Sequence, residues 1–329
     1  MFRISSALKQ VFASHTAAAG RPAKKTSKRR RVFFLLLALF HTLGALSSLD
    51  ALMSSRTSQG SIAWIVSLNT FPYAAVPAYW VFGRSRFQGY VISRKETDHE
   101  LFAKHQLKTA GVEPYVMASD RIRGSIEAVE TLAKMPFLTG NNGQLLIDGQ
   151  QTFNSIFDGI RQAEQYVLVQ FYIVRDDQIG RQLQQLLIEK ARSGVAVYFL
   201  FDEIGSYRLP KRYTQELTDA GVVVRPFHST KGPGNRFQLN FRNHRKIVVT
   251  DGHHGWLGGL NVGDEYLGAD PRFGQWRDTH LKLSGPAVLG LQLSFVEDWY
   301  WSSEQLPNLN WQAQPANGSD VPVLIIPSG

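Results

Sequence analysis

The sequence predicts an α/β sandwich with a mostly parallel or mixed sheet, preceded by a hairpin of two membrane-spanning helices. Three observations carry that prediction. From about Gln144 onward, short apolar runs rich in β-branched residues alternate with segments of amphipathic helical spacing. Two long runs nearer the N-terminus contain no Asp, Glu, Lys or Arg. Nine of the 36 Lys and Arg lie in residues 1–31, which hold no acid, so the other 27 match the 27 acidic side chains of the remaining chain. The formal net charge of +9 is therefore a property of the tail, and the soluble part is neutral overall.

The tail ends in "KKTSKRRR", Lys24 to Arg31, directly before the first apolar run. A basic block in that position orients a membrane segment. "VFFLLLALFHTLGALSSL", Val32 to Leu49, would reach about 27 Å as a helix, enough to cross a hydrocarbon core. "GSIAWIVSLNTFPYAAVPAYWVFG", Gly60 to Gly83, is the second run. It carries Pro72 and Pro77, which spanning helices tolerate, and Trp64, Tyr79 and Trp80, which suit interfaces. Lys24 to Arg31 precede the first run, and Arg84, Arg86, Arg94 and Lys95 follow the second, while the loop between holds only Asp50 and Arg56. The positive-inside rule then places both ends in the cytoplasm, with a short loop outside.

Residues 84–140 read as a connector, with a helix in "KETDHELFAKHQLKTAG" and another in "ASDRIRGSIEAVETLAKM" capped by Ser119 or Asp120. The soluble domain, 141–329, follows. "QLLID" is a strand. "QTFNSIFDGIRQAEQ" is a helix with Phe153, Ile156, Phe157 and Ile160 on one face. "YVLVQFYIV" is a strand apolar enough for burial on both faces. "IGRQLQQLLIEKARSG" is a helix closed by Gly194. "VAVYFLFDE", "PKRYTQELTDAG" and "VVVRPF" continue as strand, helix and strand.

The chemistry concentrates in "NHRKIVVTDGHHGWLGGLN", Asn243 to Asn261. Strand alternation puts His244 and Lys246 on one face and Ile247 and Val249 on the other. The glycines that follow allow backbone to approach a ligand, and Asn261 adds an amide donor. An imidazole, an ammonium and an amide suit a phosphate diester. Lysine and asparagine bind its oxygens and stabilise growing charge, and histidine attacks phosphorus or moves protons near neutral pH. Fixed donors take the place of a metal, so no metal and no other cofactor are expected. Adjacent His253 and His254 point apart beside Asp251 and read as turn residues. The chain has no cysteine, which excludes disulfides and thiolate metal sites.

The motif H-x-K-x4-D-x6-G-G-x-N resembles the phospholipase D superfamily. With "FYIVRDDQIGRQLQQLLIEKARSGVAVYFLFDEIGS", "GGLNVGDEYLG", "WRDTHLKLSGPAV" and "AYWVFGRSR", the text is similar to the bacterial cardiolipin synthases. The resemblance implies a phospholipase D-like catalytic half and a phosphatidyltransferase. It implies transfer between two phosphatidylglycerol molecules through a phosphohistidine, giving cardiolipin and glycerol at the bacterial inner membrane. Of the site residues it implies, His244 is one of two family histidines, Lys246 and Asn261 hold phosphate, and Asp251 is the motif's aspartate. A carboxylate to orient His244 is expected at Asp278 in "QWRDTH", with Glu265 as rival.

The family has two such motifs meeting at one site, and this sequence shows one. "HSTKGPG" at His228 and "HQLK" at His105 have the wrong spacing. "VPVLIIPSG" reads as the first strand of a second half, so the chain is expected to be the N-terminal part of a longer enzyme, inactive alone. An exposed half-interface would favour self-association. The alternatives are a homodimeric single-motif phosphodiesterase or nuclease, and a non-catalytic membrane scaffold. A neutral soluble part argues against a nucleic acid partner.

Overall fold

A computed structural model describes residues 25–54, 58–83, 111–117, 123–133, 135–227, 242–318 and 320–327. Residues 1–24, Arg84 to Lys95, the Ser119 or Asp120 cap, His105 and His228 lie outside the described residues. The chain divides into two units, Met1–Ser85 and Arg86–Gly329.

In the first unit the opening apolar run lies within α1 (Lys25–Ser54), whose Lys28–Met53 portion is long and apolar enough to cross a membrane. The second run is not one continuous helix. It forms α2 (Ser58–Thr70), breaks at Phe71, and resumes as α3 (Pro72–Ala78) with a π turn over Tyr79–Gly83. Pro72 lacks the N–H that would continue α2 and is well placed as a first helical residue.

The partners along α1 show the direction of travel. Ser61 Oγ donates to Ala51 O at 3.3 Å, and Asn69 Nδ2 to Ser48 Oγ at 2.8 Å. The Tyr73 hydroxyl lies 3.4 Å from His41 Nε2. Tyr79 then donates to Asp50 Oδ2 at 2.7 Å, and Trp80 Nε1 to Ser47 Oγ at 3.3 Å. The segment runs down α1 and back up it, and Trp64 meets Tyr79 edge-on at 5.2 Å. Of the expected pair, one helix among the described residues is long and apolar enough to cross a membrane, and the second run is broken at Phe71. Because the chain has no native cysteine, single cysteines at Ser58 and Phe82 are expected to react with an impermeant maleimide from the same side of a vesicle. Labelling from opposite sides would show a true second span.

The second unit is an eight-stranded sheet ordered β4-β3-β2-β5-β6-β7-β1-β8. The strands are β1 (Leu138–Ile147), β2 (Tyr166–Phe171), β3 (Ala196–Asp202), β4 (Val223–Phe227), β5 (Ile247–Thr250), β6 (His254–Gly258), β7 (Thr279–Ser284) and β8 (Val321–Val323). Strands β2, β3 and β4 pair in parallel, and every other pairing is antiparallel, so the sheet is mixed. Helix α4 (Arg123–Ala133) precedes it.

One face is covered by α5 (Asp148–Gln162), α6 (Gln178–Arg192) and α7 (Lys211–Asp219), where Phe153, Ile156 and Ile160 pack with Val167, Val169, Val248 and Trp256. The other face is covered by α8 (Val288–Ser303), where Leu291, Phe295 and Trp299 pack with Leu168, Ile247, Val249 and Leu283. The apolar strands are thus buried on both sides, as parallel-type strands require. The C-terminal "VPV" forms β8, which pairs with β1 of this sheet, Asn141 opposite Val321 and Leu138 opposite Val323.

Candidate active site

Strand directions bring the chemistry to one rim. β2 leaves the sheet there at Tyr172. The motif segment enters β5 there, β6 leaves it through Gly258 and Gly259, and β7 enters just after Asp278. The ladder of β5 begins only at Ile247, so residues 242–246 lie outside the strand pairing.

His244 lies flat on Tyr172, with ring centroids 4.0 Å apart and planes 20° from parallel. The Lys246 ammonium sits 5.6 Å from the centroid of the same ring and donates to His244 O at 2.7 Å. Arg242 Nη1 donates to the Tyr172 hydroxyl at 3.3 Å. Tyr172 is thus a shared platform that stacks the imidazole and attracts the cation. Partial burial lowers the proton affinity of His244, and the Lys246 and Arg242 charges add to this against the opposing pull of Asp202. These effects favour the neutral form of the ring. Burial also lowers the Lys246 value, opposed by Asp278.

The other expected residues divide between this rim and elsewhere. Asp251 sits at the far end of β5, about 20 Å of extended chain from His244, so it cannot touch the same phosphate. Its left-handed φ of 53° turns its carboxylate toward Glu164, Gln165 and Tyr166, whose backbone N–H groups all donate to it at 2.8 Å. Its place is structural: it ties the start of β2 to the end of β5. Asn261 is buried at the rim. Its Oδ1 accepts from Ile173 N at 3.0 Å and its Nδ2 donates to the Tyr266 hydroxyl at 3.0 Å; among the described residues its second amide hydrogen has no partner.

Asp278 is at the rim, and its charge acts on Lys246. Its backbone N–H donates to Asp148 Oδ1 at 3.0 Å, its carboxylate accepts from Thr279 N at 2.7 Å, and among the described residues no hydrogen bond joins it to His244. Glu265 pairs with Arg175 at 3.2 Å. Among the described residues, no hydrogen bond joins either carboxylate to His244, and Asp202 acts on its charge. The glycine pair also proves to serve the protein's own side chains. A Cβ on Gly259 would lie 2.4 Å from Asp278 Oδ1, and one on Gly258 would lie 2.4 Å from His280 Nδ1.

His253 and His254 stand at the opposite rim, where His254 Nδ1 lies 2.8 Å from Ser284 Oγ. Among the described residues no group of three or more His, Asp or Glu could hold a metal ion. Sequence reasoning missed Tyr172, Asp202 and His280. The "FY" after a buried strand carried a weak signal for the first, since an aromatic at a strand's exit stands where the motif segment passes.

A sheet rim that presents an imidazole and an ammonium on one aromatic platform, followed by a glycine pair and an asparagine, is that of a phospholipase D-like domain. Residues 156–270 match the family model described as the cardiolipin synthase, PLD-like domain. The chain is similar over most of its length to proteins named cardiolipin synthase A. It is 46% identical over 281 residues to cardiolipin synthase A of Pseudomonas fluorescens Pf-5, covering 84% of this chain and 59% of that protein. With cardiolipin synthase A of Pseudomonas fluorescens SBW25 it shares 48% identity over 279 residues, 83% of this chain and 58% of that one. It thus spans less than two thirds of the length of these relatives. Among solved structures, NucT from Helicobacter pylori is similar with a TM-score of 0.39 and 17% identity, over 49% of this chain and 98% of that one.

Proposed function

We propose that this chain supplies one half of a phosphatidyl-transferring site that makes cardiolipin from two phosphatidylglycerol molecules. The observation that supports this best is His244, its neutral form favoured, held on Tyr172 beside the Lys246 ammonium. In the reaction, an imidazole nitrogen attacks phosphorus, and the bond from phosphorus to the headgroup glycerol oxygen breaks. Glycerol departs with a proton from a second acid. The headgroup hydroxyl of another phosphatidylglycerol then attacks the phosphohistidine, its proton returns to that acid, and the histidine is released.

The lowered proton affinity of His244 favours the attacking role. Lys246, and the remaining amide hydrogen of Asn261, would bind the non-bridging oxygens. The acid on the far side of phosphorus is assigned to a second half, as in the two-motif pattern of the family. Asp278 would hold Lys246 charged and aimed, and Asp251 would brace the sheet. No cofactor is required for this sequence of steps.

The expected surroundings follow from the substrate. The protein would reside in the bacterial inner membrane, anchored through α1, with its basic tail in the cytoplasm. The face on which the chain leaves the membrane is decided by the paired-cysteine labelling above. The domain organisation proposed is a tail over 1–31, a membrane unit over 32–83, a connector over 84–140 and a catalytic half over 141–329.

Purified 1–329 in micelles with labelled phosphatidylglycerol is expected to yield no cardiolipin. Addition of the second half of a cardiolipin synthase A relative is expected to restore synthesis that depends on His244. Robust turnover by the chain alone, lost in His244→Ala, would instead establish a homodimeric single-motif enzyme. Cleavage of DNA under the same conditions would overturn the lipid reading.

A further inference from the structure

The segment that carries His244 and Lys246 lies outside the β ladder, so something other than strand pairing must hold it. Hydrogen bonds from Asn243 and Arg245 contribute to this. Asn243 N–H donates to Asp202 Oδ2 at 2.8 Å, and Arg245 N–H donates to Asn243 Oδ1 at 3.1 Å. On the side chains, Asn243 Nδ2 donates to Asp298 Oδ2 at 2.7 Å and Arg245 Nη1 to Asp298 Oδ1 at 2.7 Å. Asp298 lies on α8, is fully buried, and also accepts from Gln170 Nε2 of β2 at 2.6 Å. The Arg245 side chain is itself only 14% exposed.

The alternation is what gives this network its effect. Ile247 and Val249 face α8, and Asn243 and Arg245 continue the same face. His244 and Lys246 are then forced to the other face, where Tyr172 receives them. We infer that Asp298 is a positioning residue for the reacting imidazole: by gripping Asn243 and Arg245 from beneath, it fixes the register and direction of His244 and Lys246 at the rim. The function assigned to this register rests on His244 being the reacting group, but the contact itself can be tested without activity. Asp298 lies 28 residues beyond the stretch that matches the family model, so the assignment does not come from that match. A buried carboxylate shared by an arginine, an asparagine and a glutamine also favours a single geometry, because removing it takes a common acceptor from all three donors.

Asp298→Asn keeps the shape but replaces one acceptor with a donor. Two readouts are taken in micelles: amide hydrogen exchange over 242–247, and the titration of His244 by histidine-labelled NMR. The signal is picked out from the nine histidines by comparison with His244→Gln. Exchange over 242–247 is expected to rise tenfold or more while β3 and β6 keep their protection. The His244 midpoint is expected to move up toward the ordinary imidazole value, because the ring leaves its platform. The sign matters: loss of a negative charge alone would move it down. The conservative Arg245→Lys, which keeps a cation for Asp298, is expected to stay near the wild-type midpoint. Unchanged exchange and midpoint, or a midpoint that falls, would overturn the proposal. If Asp298→Asn fails to fold, Asn243→Ala removes one grip and keeps the Arg245 pair. It is expected to shift both readouts in the same directions, and no shift there would overturn the proposal equally.

Discussion

His244→Ala is expected to lower cardiolipin synthesis by roughly 10⁴-fold or more in the enzyme reconstituted with a second half, with unfolding unchanged. The ring is exposed at the rim and contributes little packing beyond its stack on Tyr172. Asp251→Ala is expected to behave in the opposite way. Its carboxylate accepts from three backbone N–H groups. Losing it leaves those donors without an acceptor and places alanine in a left-handed conformation. The expected cost is about 3 kcal/mol of stability, reduced from a fully buried value because two of the three donors lie near solvent. Asp251→Asn, which keeps one acceptor oxygen and tolerates that φ, should lose about half as much. Denaturant unfolding and turnover measured on the same preparations separate the two roles. A His244→Ala enzyme that still turns over, or an Asp251→Ala protein of undiminished stability, would reverse the assignments made for the motif.

The second large effect is a loss of stability in mild acid that passes through His280. This imidazole is 2% exposed, its Nδ1 has no partner among the described residues, and burial holds its pKa down to about 4. In the unfolded chain it would titrate near 6.5. Above that pH both states are neutral at this site, and it adds no pH dependence. As pH falls from about 6.5 to 4 the unfolded chain takes up the proton first, so stability drops by about 1.4 kcal/mol per unit and by about 3 kcal/mol in all. Below about 4 the folded protein binds the proton too, and the loss levels off. Unfolding at pH 7 and at pH 5 should therefore differ by about 2 kcal/mol more in the wild type than in His280→Gln. Equal differences in the two proteins would show that His280 is not buried as a neutral base. The comparison is made within each protein, so any packing cost of the glutamine cancels.

The parts of this fold that read clearly in the sequence are those in which one layer meets another along a regular period. Phe153, Ile156, Phe157 and Ile160 recur at helical spacing because α5 buries one stripe and leaves the rest wet. The β2, β3 and β5 runs are continuously apolar because both faces are covered. Helix α8 escaped this reading for the opposite reason. From Val288 to Trp301 most of its circumference is buried, so it has no polar side to set a period, and its acids Glu297 and Asp298 are inside. The second apolar run was read as a span because hydropathy reports what can enter a membrane and says nothing of a reversal. The break at Phe71 before Pro72 became evident only from Tyr73 beside His41 and Tyr79 beside Asp50.

For the site, the sequence by itself determined which groups can do chemistry: an imidazole and an ammonium two residues apart, with a glycine pair and an amide downstream. Their identity and local order are covalent facts, and strand alternation follows from backbone geometry alone. What surrounds them was decided by the tertiary structure. Tyr172 comes from a strand exit 72 positions before His244, Asp202 from another, and Asp298 from a helix 54 positions after it. No local period links such distant residues. They meet because β2, β3 and β5 lie side by side with their active ends at one rim, while α8 crosses beneath. The same packing separated Asp251 from His244, although the two are only seven residues apart, because an extended strand carries its ends to opposite edges of the sheet.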